Sequence, residues 1–235
     1  MNSLEPLAYA DDATVLTGWL ARPIGRARAA VAVFPTFMNT SPGIEAKARA
    51  LADAGCIALV ADFYGPGAPH DAQSAFEAME RLRADPVAMR RRLRVTLTAL
   101  TEAAPGLPMI AIGFCLGGMA VLELARDGAD LALVASFHGL LATPHPANGP
   151  VTPRILVCHG DADSLVPRTD VIAFWEEMTN VGANWHFMSF GGVEHGFTNP
   201  LTPARTPNPA YNALADRQSW TALMHLIDEH APLPA

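Results

Sequence analysis

The chain has 235 residues, of which 50% are hydrophobic and 17% charged, so it can bury one large core and is not expected to be disordered over a long stretch. Its net charge of −7 gives no basic footprint for nucleic acid, and no apolar run is long enough to span a membrane. The three cysteines, Cys56, Cys115 and Cys158, form no CxxC pair, which argues against a disulfide framework or a zinc site and suits a reducing cytoplasm.

In chain order, the first elements are expected to form an antiparallel hairpin at one edge of a sheet. The stretches "PLAYA" (6–10) and "TVLTGWLA" (14–21) are separated by "DD", which is typical of a tight turn. Short apolar runs then alternate with helical patterns along the chain. Strands are predicted at 29–34, 56–61, 108–113, 131–137, 154–159 and 185–190. Helices are predicted near 43–54, 71–83, 86–103, 116–127, 168–181 and 210–230.

Most of the predicted strands are continuously apolar, as parallel strands buried on both faces should be. The chain is therefore expected to form a mostly parallel central sheet of about eight strands with helices on both faces. The pairs Asp85-Pro86 and Asn208-Pro209 are each predicted to cap a helix, with the proline in its first turn. The basic run "RRRLR" at 90–94 is predicted to be a solvated helix face. In sheets of this kind, active sites lie at the carboxyl ends of the strands.

The first chemical motif follows the 108–113 strand, where "GFCLG" places Cys115 between Gly113 and Gly117. The pattern matches a nucleophile elbow, a sharp strand-to-helix turn that exposes the nucleophile and leaves no room for side chains on either side. The free N–H groups and dipole of the following helix favour a thiolate. A lone cysteine is more often a small buried apolar residue, and we expect that role for Cys56 and Cys158.

Two further motifs follow the next strands at the same expected edge. "HGDADSLVP" (159–167) supplies Asp161 and Asp163, and "GGVEHGF" (191–197) places His195 in a glycine-rich loop. The chain order of cysteine, aspartate and histidine is that of one class of catalytic triad. Asp163 is predicted to orient His195, and Asp161 to form a turn.

The residue types suit acyl transfer. Histidine can take the proton of the thiol, and a carboxylate fixes the tautomer of the histidine. The backbone N–H groups of Leu116 and Phe37 are the predicted donors to an oxyanion. His138 and His159 end strands and could line the pocket, although neither completes a motif. The remaining histidines are expected to be structural: His70, His145, His186, His225 and His230.

Together with "ADFYG" (61–65), the motifs "GFCLGG", "HGDADSLVP" and "EHGF" resemble those of the dienelactone hydrolase family, over about residues 5 to 230. The resemblance implies one α/β-hydrolase domain over residues 1–235, without a metal or cofactor. It implies that Cys115, Asp163 and His195 are the triad and that Phe37 and Leu116 are the oxyanion donors. It also implies a small ester or lactone as substrate, cleaved through an acyl-thioester.

Two positions depart from the family pattern. Thr36 stands where the family carries a glutamate that helps to ionise the thiol, and Asn199 stands where it carries an arginine that binds the carboxylate of the lactone. Two other functions therefore stay open at this point: a non-catalytic ligand-binding module on the same scaffold, and a redox-responsive thiol protein. The sequence assigns neither the substrate-binding residues nor the oligomeric state.

Overall fold

The computed structural model describes residues 3–233; residues 1–2 and 234–235 of the expected domain lie outside the described part. Eight strands form one sheet: β1 (Leu4–Asp11), β2 (Thr14–Ala21), β3 (Ala29–Phe34), β4 (Cys56–Val60), β5 (Met109–Phe114), β6 (Leu133–Phe137), β7 (Arg154–Gly160) and β8 (Trp185–Phe190). Six helices accompany them: α1 (Pro42–Asp53), α2 (Ala72–Arg83), α3 (Pro86–Ala103), α4 (Leu116–Arg126), α5 (Arg168–Asn180) and α6 (Ala213–His230).

The strand order is β1-β2-β4-β3-β5-β6-β7-β8, and only the pairings β1–β2 and β2–β4 are antiparallel. The predicted hairpin is therefore confirmed at one edge, and β3 to β8 run parallel. Strands β3, β4 and β6 are buried at every residue, and β5 at every residue but Met109, because helices cover both faces of the sheet. The carboxyl ends of β5, β7 and β8 consequently meet at one edge.

The helices divide between two apolar cores on opposite faces of the sheet. Helices α3, α4 and α5 bury residues such as Leu93 and Phe174 on one face. Helices α1 and α6 bury residues such as Leu51 and Leu223 on the other. Lys47 of α1 joins these last two helices, because its ammonium group lies 2.7 Å from Asp216 and 4.6 Å from the centre of the Trp220 ring.

One of the two predicted helix caps is correct and the other is wrong. Asp85 accepts a hydrogen bond from the Ala88 N–H at 2.9 Å and begins α3, with Pro86 in its first turn. Helix α6 begins instead after Asn212, whose side chain accepts the Ala215 N–H at 3.0 Å. Asn208 holds a turn of the preceding loop by donating to the carbonyl oxygen of Asn199 at 2.9 Å.

The prediction that the "RRRLR" run is a solvated face is correct only in part: the side chains of Arg91 and Arg94 are 50% and 44% exposed, but the run also pairs with buried acids. Arg91 and Arg92 converge on Asp11 at the end of β1, with N–O distances of 2.7 and 2.6 Å, and Asp11 is only 2% exposed. Arg90 lies 2.7 Å from Glu123 of α4, another buried carboxylate. Arg91 and Arg92 pair with an acid that would otherwise be buried without a partner, and Arg90 joins the pair that Glu123 forms with Arg126 at 2.9 Å. These contacts tie α3 to β1 and α4.

Candidate active site

Cys115 lies on a strained turn between β5 and α4. Its φ is +54° and its ψ is −113°, a conformation that is rare for any residue with a side chain. A methyl group at Gly113 would overlap the carbonyl oxygen of Gly117, and one at Gly117 would overlap the carbonyl oxygen of Phe34. The two glycines therefore allow the elbow to pass directly against β3 and the first turn of α4.

Two backbone donors lie free beside this elbow. Leu116 is the first residue of α4, and Phe37 lies in the loop after β3; within residues 3–233 neither N–H makes a hydrogen bond. The Phe37 loop is closed by a 2.9 Å hydrogen bond from the Asn39 N–H to the carbonyl oxygen of Thr36. The Thr36 hydroxyl accepts the Met38 N–H at 3.3 Å, so this side chain stabilises its own turn.

Asp163 and His195 are brought together by the loops after β7 and β8. The Nδ1 atom of His195 lies 2.8 Å from the Asp163 carboxylate, which is 4% exposed and also accepts the Leu165 N–H at 2.9 Å. The Ala162 N–H donates to the carbonyl oxygen of Val193 at 2.9 Å and joins the two loops. Asp161 instead pairs with the exposed Arg168 at 2.9 Å.

The environment of His195 favours its protonated form. Burial of the ring opposes protonation, but hydrogen bonds and negative charge from Asp163 and Cys115 outweigh it and raise the pKa of His195 to about 10. The Nε2 atom is buried without a hydrogen bond of ordinary geometry in the described part of the chain. Cys115 nevertheless contributes to the raised pKa of His195, which is consistent with a thiol near the ring and with the long catalytic contacts that are common in unliganded sites.

His138, the residue after β6, has a φ of +40° and is 1% exposed. Its Nδ1 atom accepts the Cys115 N–H at 3.2 Å, and its Nε2 atom lies 2.8 Å from the Thr198 hydroxyl. Its ring meets the His195 ring edge to face, with centres 5.2 Å apart. Burial, reinforced by the charge of His195, holds the pKa of His138 well below its usual value.

Asp62 and Tyr64, in the loop after β4, hold the Phe37 loop from the other side. The Tyr64 hydroxyl donates to the carbonyl oxygen of Phe37 at 2.8 Å, and the Asp62 carboxylate accepts from the Asn39 side chain at 2.9 Å. Burial, together with the nearby charges of Cys115 and Asp62, raises the pKa of Tyr64. Tyr64 therefore stays a neutral donor beside Cys115.

The remaining predicted residues lie elsewhere or take structural places. Cys56 and Cys158 are fully buried in β4 and β7, as expected for small apolar residues. His159 is 3% exposed at the end of β7, and its ring centre lies 5.6 Å from that of Phe187. Residues 3–233 include no group of three or more histidine, cysteine or acidic side chains placed to hold a metal ion. None of the helices in that range is long and apolar enough to cross a bilayer.

The sequence indicated for His138 only that it could line the pocket, and it assigned no role to Thr198, Asp62 or Tyr64. The position of His138 at the end of a predicted strand was its one signal, because active sites in such sheets lie at the carboxyl ends of the strands. Thr198 lies in "GFTNP", immediately after the histidine motif, and Asp62 and Tyr64 lie in "ADFYG". For Thr198, Asp62 and Tyr64, the position in or beside a motif was the only indication of a role at the site.

Comparison with known proteins identifies the family to which this fold belongs. The model of the dienelactone hydrolase family matches residues 16–231. A solved dienelactone hydrolase-like promiscuous phosphotriesterase from metagenomic libraries is 34% identical, with a TM-score of 0.89 over 97% of this chain and 98% of that one. An uncharacterised protein of Caenorhabditis elegans is 35% identical over 151 residues, which are 59% of this chain and 94% of that protein.

A protein of Bradyrhizobium sp. named "probable 2-oxo-3-(5-oxofuran-2-ylidene)propanoate lactonase" is 28% identical over 90% of this chain and 88% of its own length. The family model covers nearly the whole described chain, and the relative of known structure shares its fold from end to end. The chain therefore belongs to the dienelactone hydrolase family, has its α/β-hydrolase fold, and is a hydrolase of esters or lactones.

Proposed function

We propose that the chain hydrolyses small carboxylic esters or lactones with Cys115 as the nucleophile, His195 as the acid and base, and Asp163 as the residue that orients His195. The observation that carries this proposal is the 2.8 Å hydrogen bond between His195 Nδ1 and Asp163, on a ring whose pKa is raised by Cys115. The strained elbow at the start of α4 supports the same assignment.

In the first half of the reaction, the Cys115 sulfur attacks the carbonyl carbon, and the carbonyl electron pair moves onto the oxygen. The free N–H groups of Phe37 and Leu116 stabilise that oxyanion. When the oxyanion collapses, the bond from carbon to the leaving oxygen breaks, and the protonated His195 gives its proton to this oxygen. The products are an alcohol, which stays attached when the substrate is a lactone, and an acyl-thioester on Cys115.

In the second half, His195 works in the opposite direction. Acylation removes the thiol charge and hydrogen bond that raise the pKa of His195, so its pKa falls and the neutral ring can accept a proton from water. The resulting hydroxide attacks the thioester carbon and breaks the carbon–sulfur bond. The carboxylic acid leaves, and the Cys115 thiolate and the protonated His195 are restored.

A direct test is to trap the acyl-thioester. The wild-type protein is mixed with an excess of p-nitrophenyl acetate, quenched in acid within the first turnovers, digested and analysed by mass spectrometry. We expect one acetyl group on the peptide that contains Cys115, together with a burst of nitrophenol equal to the enzyme concentration if deacylation limits the rate. Acetylation spread over other residues, with none on Cys115, would refute the covalent mechanism.

The charges around the site favour uncharged substrates. Cys115 and Asp62, both acidic, act on Tyr64; the protonated His195 balances the charge of the Cys115 thiolate, which leaves the charge of Asp62, and Asn199 carries no charge. A carboxylate on the substrate would be repelled by such surroundings, by roughly 1 kcal/mol at 4 Å even in bulk water. We expect kcat/KM for p-nitrophenyl acetate to exceed that for the mono-p-nitrophenyl ester of succinic acid by at least about tenfold; a preference for the succinate ester would contradict this substrate class.

Phosphotriesters are a second candidate class, because the metagenomic relative that is 34% identical is named for them and because they too are uncharged. The same thiolate would attack phosphorus, and the same two N–H groups would bind the phosphoryl oxygen. Release of nitrophenol from diethyl p-nitrophenyl phosphate measures this activity directly. It should depend on Cys115 in the same way as ester hydrolysis.

The raised pKa of His195 predicts that Cys115 reacts quickly at low pH. At pH 6 the His195 ring is protonated and favours a thiolate beside it, whereas an ordinary cysteine, with a pKa of about 8.5, is almost wholly neutral. Alkylation of Cys115 by iodoacetamide should therefore be fast at pH 6, and His195→Ala should slow it at least about tenfold. An alkylation rate that rises only above about pH 8 and is unchanged by the His195 substitution would contradict the ion pair.

A substitution at Thr36 tests the ion pair of Cys115 and His195 in a second way, because a negative charge near the sulfur opposes ionisation of the thiol. Thr36→Glu should move the pH dependence of alkylation to higher pH. Thr36→Gln is the matched control, since it has the same size and also loses the hydroxyl that accepts the Met38 N–H. If both variants shift the curve equally, the cause is the altered turn rather than charge.

Asp163, rather than Asp161, should be required for turnover. Asp163→Asn keeps an acceptor for the Leu165 N–H but can turn its amide N–H groups towards His195, so the ring loses its fixed tautomer. We expect kcat to fall by roughly 10²-fold or more. Asp161→Asn removes only an exposed pair with Arg168 and should change kcat less than about twofold. A larger loss in the Asp161 variant at equal thermal stability would mean that the wrong carboxylate has been assigned.

A further inference from the structure

His138 is in contact with both halves of the proposed catalytic pair. The backbone N–H of Cys115 is shared between the carbonyl oxygen of Phe137 at 3.0 Å and the His138 Nδ1 atom at 3.2 Å. The His138 ring packs edge to face on His195, with ring centres 5.2 Å apart. The same ring packs on Phe197 at 5.3 Å, and Nε2 lies 2.8 Å from the Thr198 hydroxyl. One side chain at the end of β6 thus connects the elbow after β5 to the loop after β8.

The hydrogen bonds assign a single tautomer to this ring. Because Nδ1 accepts from an N–H, the proton of the neutral ring lies on Nε2, and Nε2 donates to the Thr198 hydroxyl. A charged His138 would carry a proton on Nδ1 that points at the Cys115 N–H, and it would stand beside the protonated His195. Two neighbouring histidines are therefore held in opposite states, one neutral and one charged.

We infer that His138 is a positioning residue: as a neutral Nε2–H imidazole it fixes the distance between the Cys115 elbow and the His195 ring, and Thr198 fixes His138. The strained φ of +40° at His138 supports a dedicated role, since strain of this kind clusters at functional sites. Thr198 is 4% exposed and lies three residues after His195, so it belongs to the loop that carries the base. The hydrogen bond to Thr198 therefore makes the position of that loop depend on the elbow.

Amide side chains can separate the two hydrogen bonds of His138. In His138→Asn the side-chain oxygen takes the place of Nδ1, so the bond to the Cys115 N–H is kept, and asparagine also tolerates a positive φ. In His138→Gln the amide nitrogen takes the place of Nε2, so the donor to Thr198 is kept, while the Cys115 N–H loses the side-chain acceptor and keeps only the Phe137 carbonyl oxygen. Thr198→Val removes the other bond without touching the strained position, and Thr198→Ser restores it.

The experiment measures the rate of Cys115 alkylation by iodoacetamide from pH 5 to 10, kcat and KM for p-nitrophenyl acetate, and the melting temperature. We expect His138→Gln to slow alkylation at pH 6 about tenfold, to move the pH dependence upward, and to lower kcat with KM changed less than about twofold. His138→Asn keeps the bond to Cys115 but loses the bond to Thr198, so it should slow alkylation about threefold to tenfold, as Thr198→Val does. Thr198→Val should show a smaller loss, about threefold to tenfold, which Thr198→Ser reverses.

A purely structural role would scale every rate by the folded fraction and leave the pH dependence in place. Four other titratable groups interact electrostatically with the rings of His138 and His195: Cys115, Asp163, His159 and Lys47. All four groups are present in each His138 and Thr198 variant. A shift in the pH dependence of alkylation therefore reports a change in the position of Cys115 relative to His195.

The inference rests on the proposed function, and the two can fail separately. If His195→Ala leaves wild-type alkylation at pH 6 unchanged, the proposed pair does not exist and the role of His138 is refuted with it. If alkylation depends on His195 but His138→Gln and Thr198→Val both keep the wild-type pH dependence and kcat, only the role of His138 is overturned. Should His138→Gln not fold, the Thr198 pair decides the question, since its substitutions leave the backbone at residue 138 intact.

Discussion

Cys115→Ala is expected to lower kcat for p-nitrophenyl acetate by at least about 10⁴-fold, because the proposed reaction loses the atom that forms the covalent intermediate. The residual rate should come from the Phe37 and Leu116 N–H groups and from binding alone. Alanine fits this partly exposed position, so the fold should survive the change. The raised pKa of His195 should also fall in this variant, since the thiol is one of its causes.

The other two cysteines supply the matched controls for this variant. Cys56→Ala and Cys158→Ala each remove a thiol from a buried strand and should reduce stability by about 1 kcal/mol or more without lowering kcat tenfold. Turnover, circular dichroism and the melting temperature are measured for all three variants. Wild-type kcat in Cys115→Ala would exclude the cysteine as nucleophile and leave His195 or a bound water to be tested.

Gly117→Ala is expected to abolish folding at growth temperature. The added methyl group would overlap the carbonyl oxygen of Phe34 and the backbone of Pro35, and the Gly117 N–H donates to Pro35 at 3.0 Å. Neither partner can move easily, because β3 is buried between β4 and β5. We expect a loss above about 4 kcal/mol, a large part of the 5–15 kcal/mol that stabilises most domains.

Gly149→Ala is the control for this substitution. No atom lies within 4 Å of a methyl group added at Gly149, so its stability should change by less than about 0.5 kcal/mol. Soluble yield and urea unfolding of the two variants give the comparison. A Gly117→Ala protein that unfolds at nearly the wild-type urea concentration would show that the elbow can shift away from β3, and would weaken the case that its geometry is fixed.

The sheet could be predicted largely from the sequence because its strands are buried on both faces. The predicted range 29–34 agrees with β3, an uninterrupted apolar run, and 86–103 agrees with α3, a helical period that begins at a capping residue. The range 185–190 also agrees with β8, although this edge strand is only partly buried and contains polar residues. Helix α6 was placed a few residues too early, because Asn208-Pro209 carries the same local signal as a true cap.

Contacts between residues far apart in the chain were the part that could not be predicted. Nothing around the "RRRLR" run indicates that Asp11, some 80 residues earlier, is buried beneath it. The same holds within the site. Cys115, Asp163 and His195 each sit in a motif and could be named, and the structure places His195 against Asp163. His138 and Thr198 are 60 residues apart, and only the assembled sheet edge brings them together.

The chain contains a single lysine, and it lies at the contact between the first helix and the last. Lys47 is held against Asp216 and Trp220, with its side chain only 20% exposed, so it joins the first helix to the last. A protease that cuts only after lysine can therefore cleave this protein at one peptide bond, and α1 shields that bond while it is folded. Short pulses of such a protease, read as two fragments on a gel, would measure the unfolded fraction of every variant above without a spectroscopic probe.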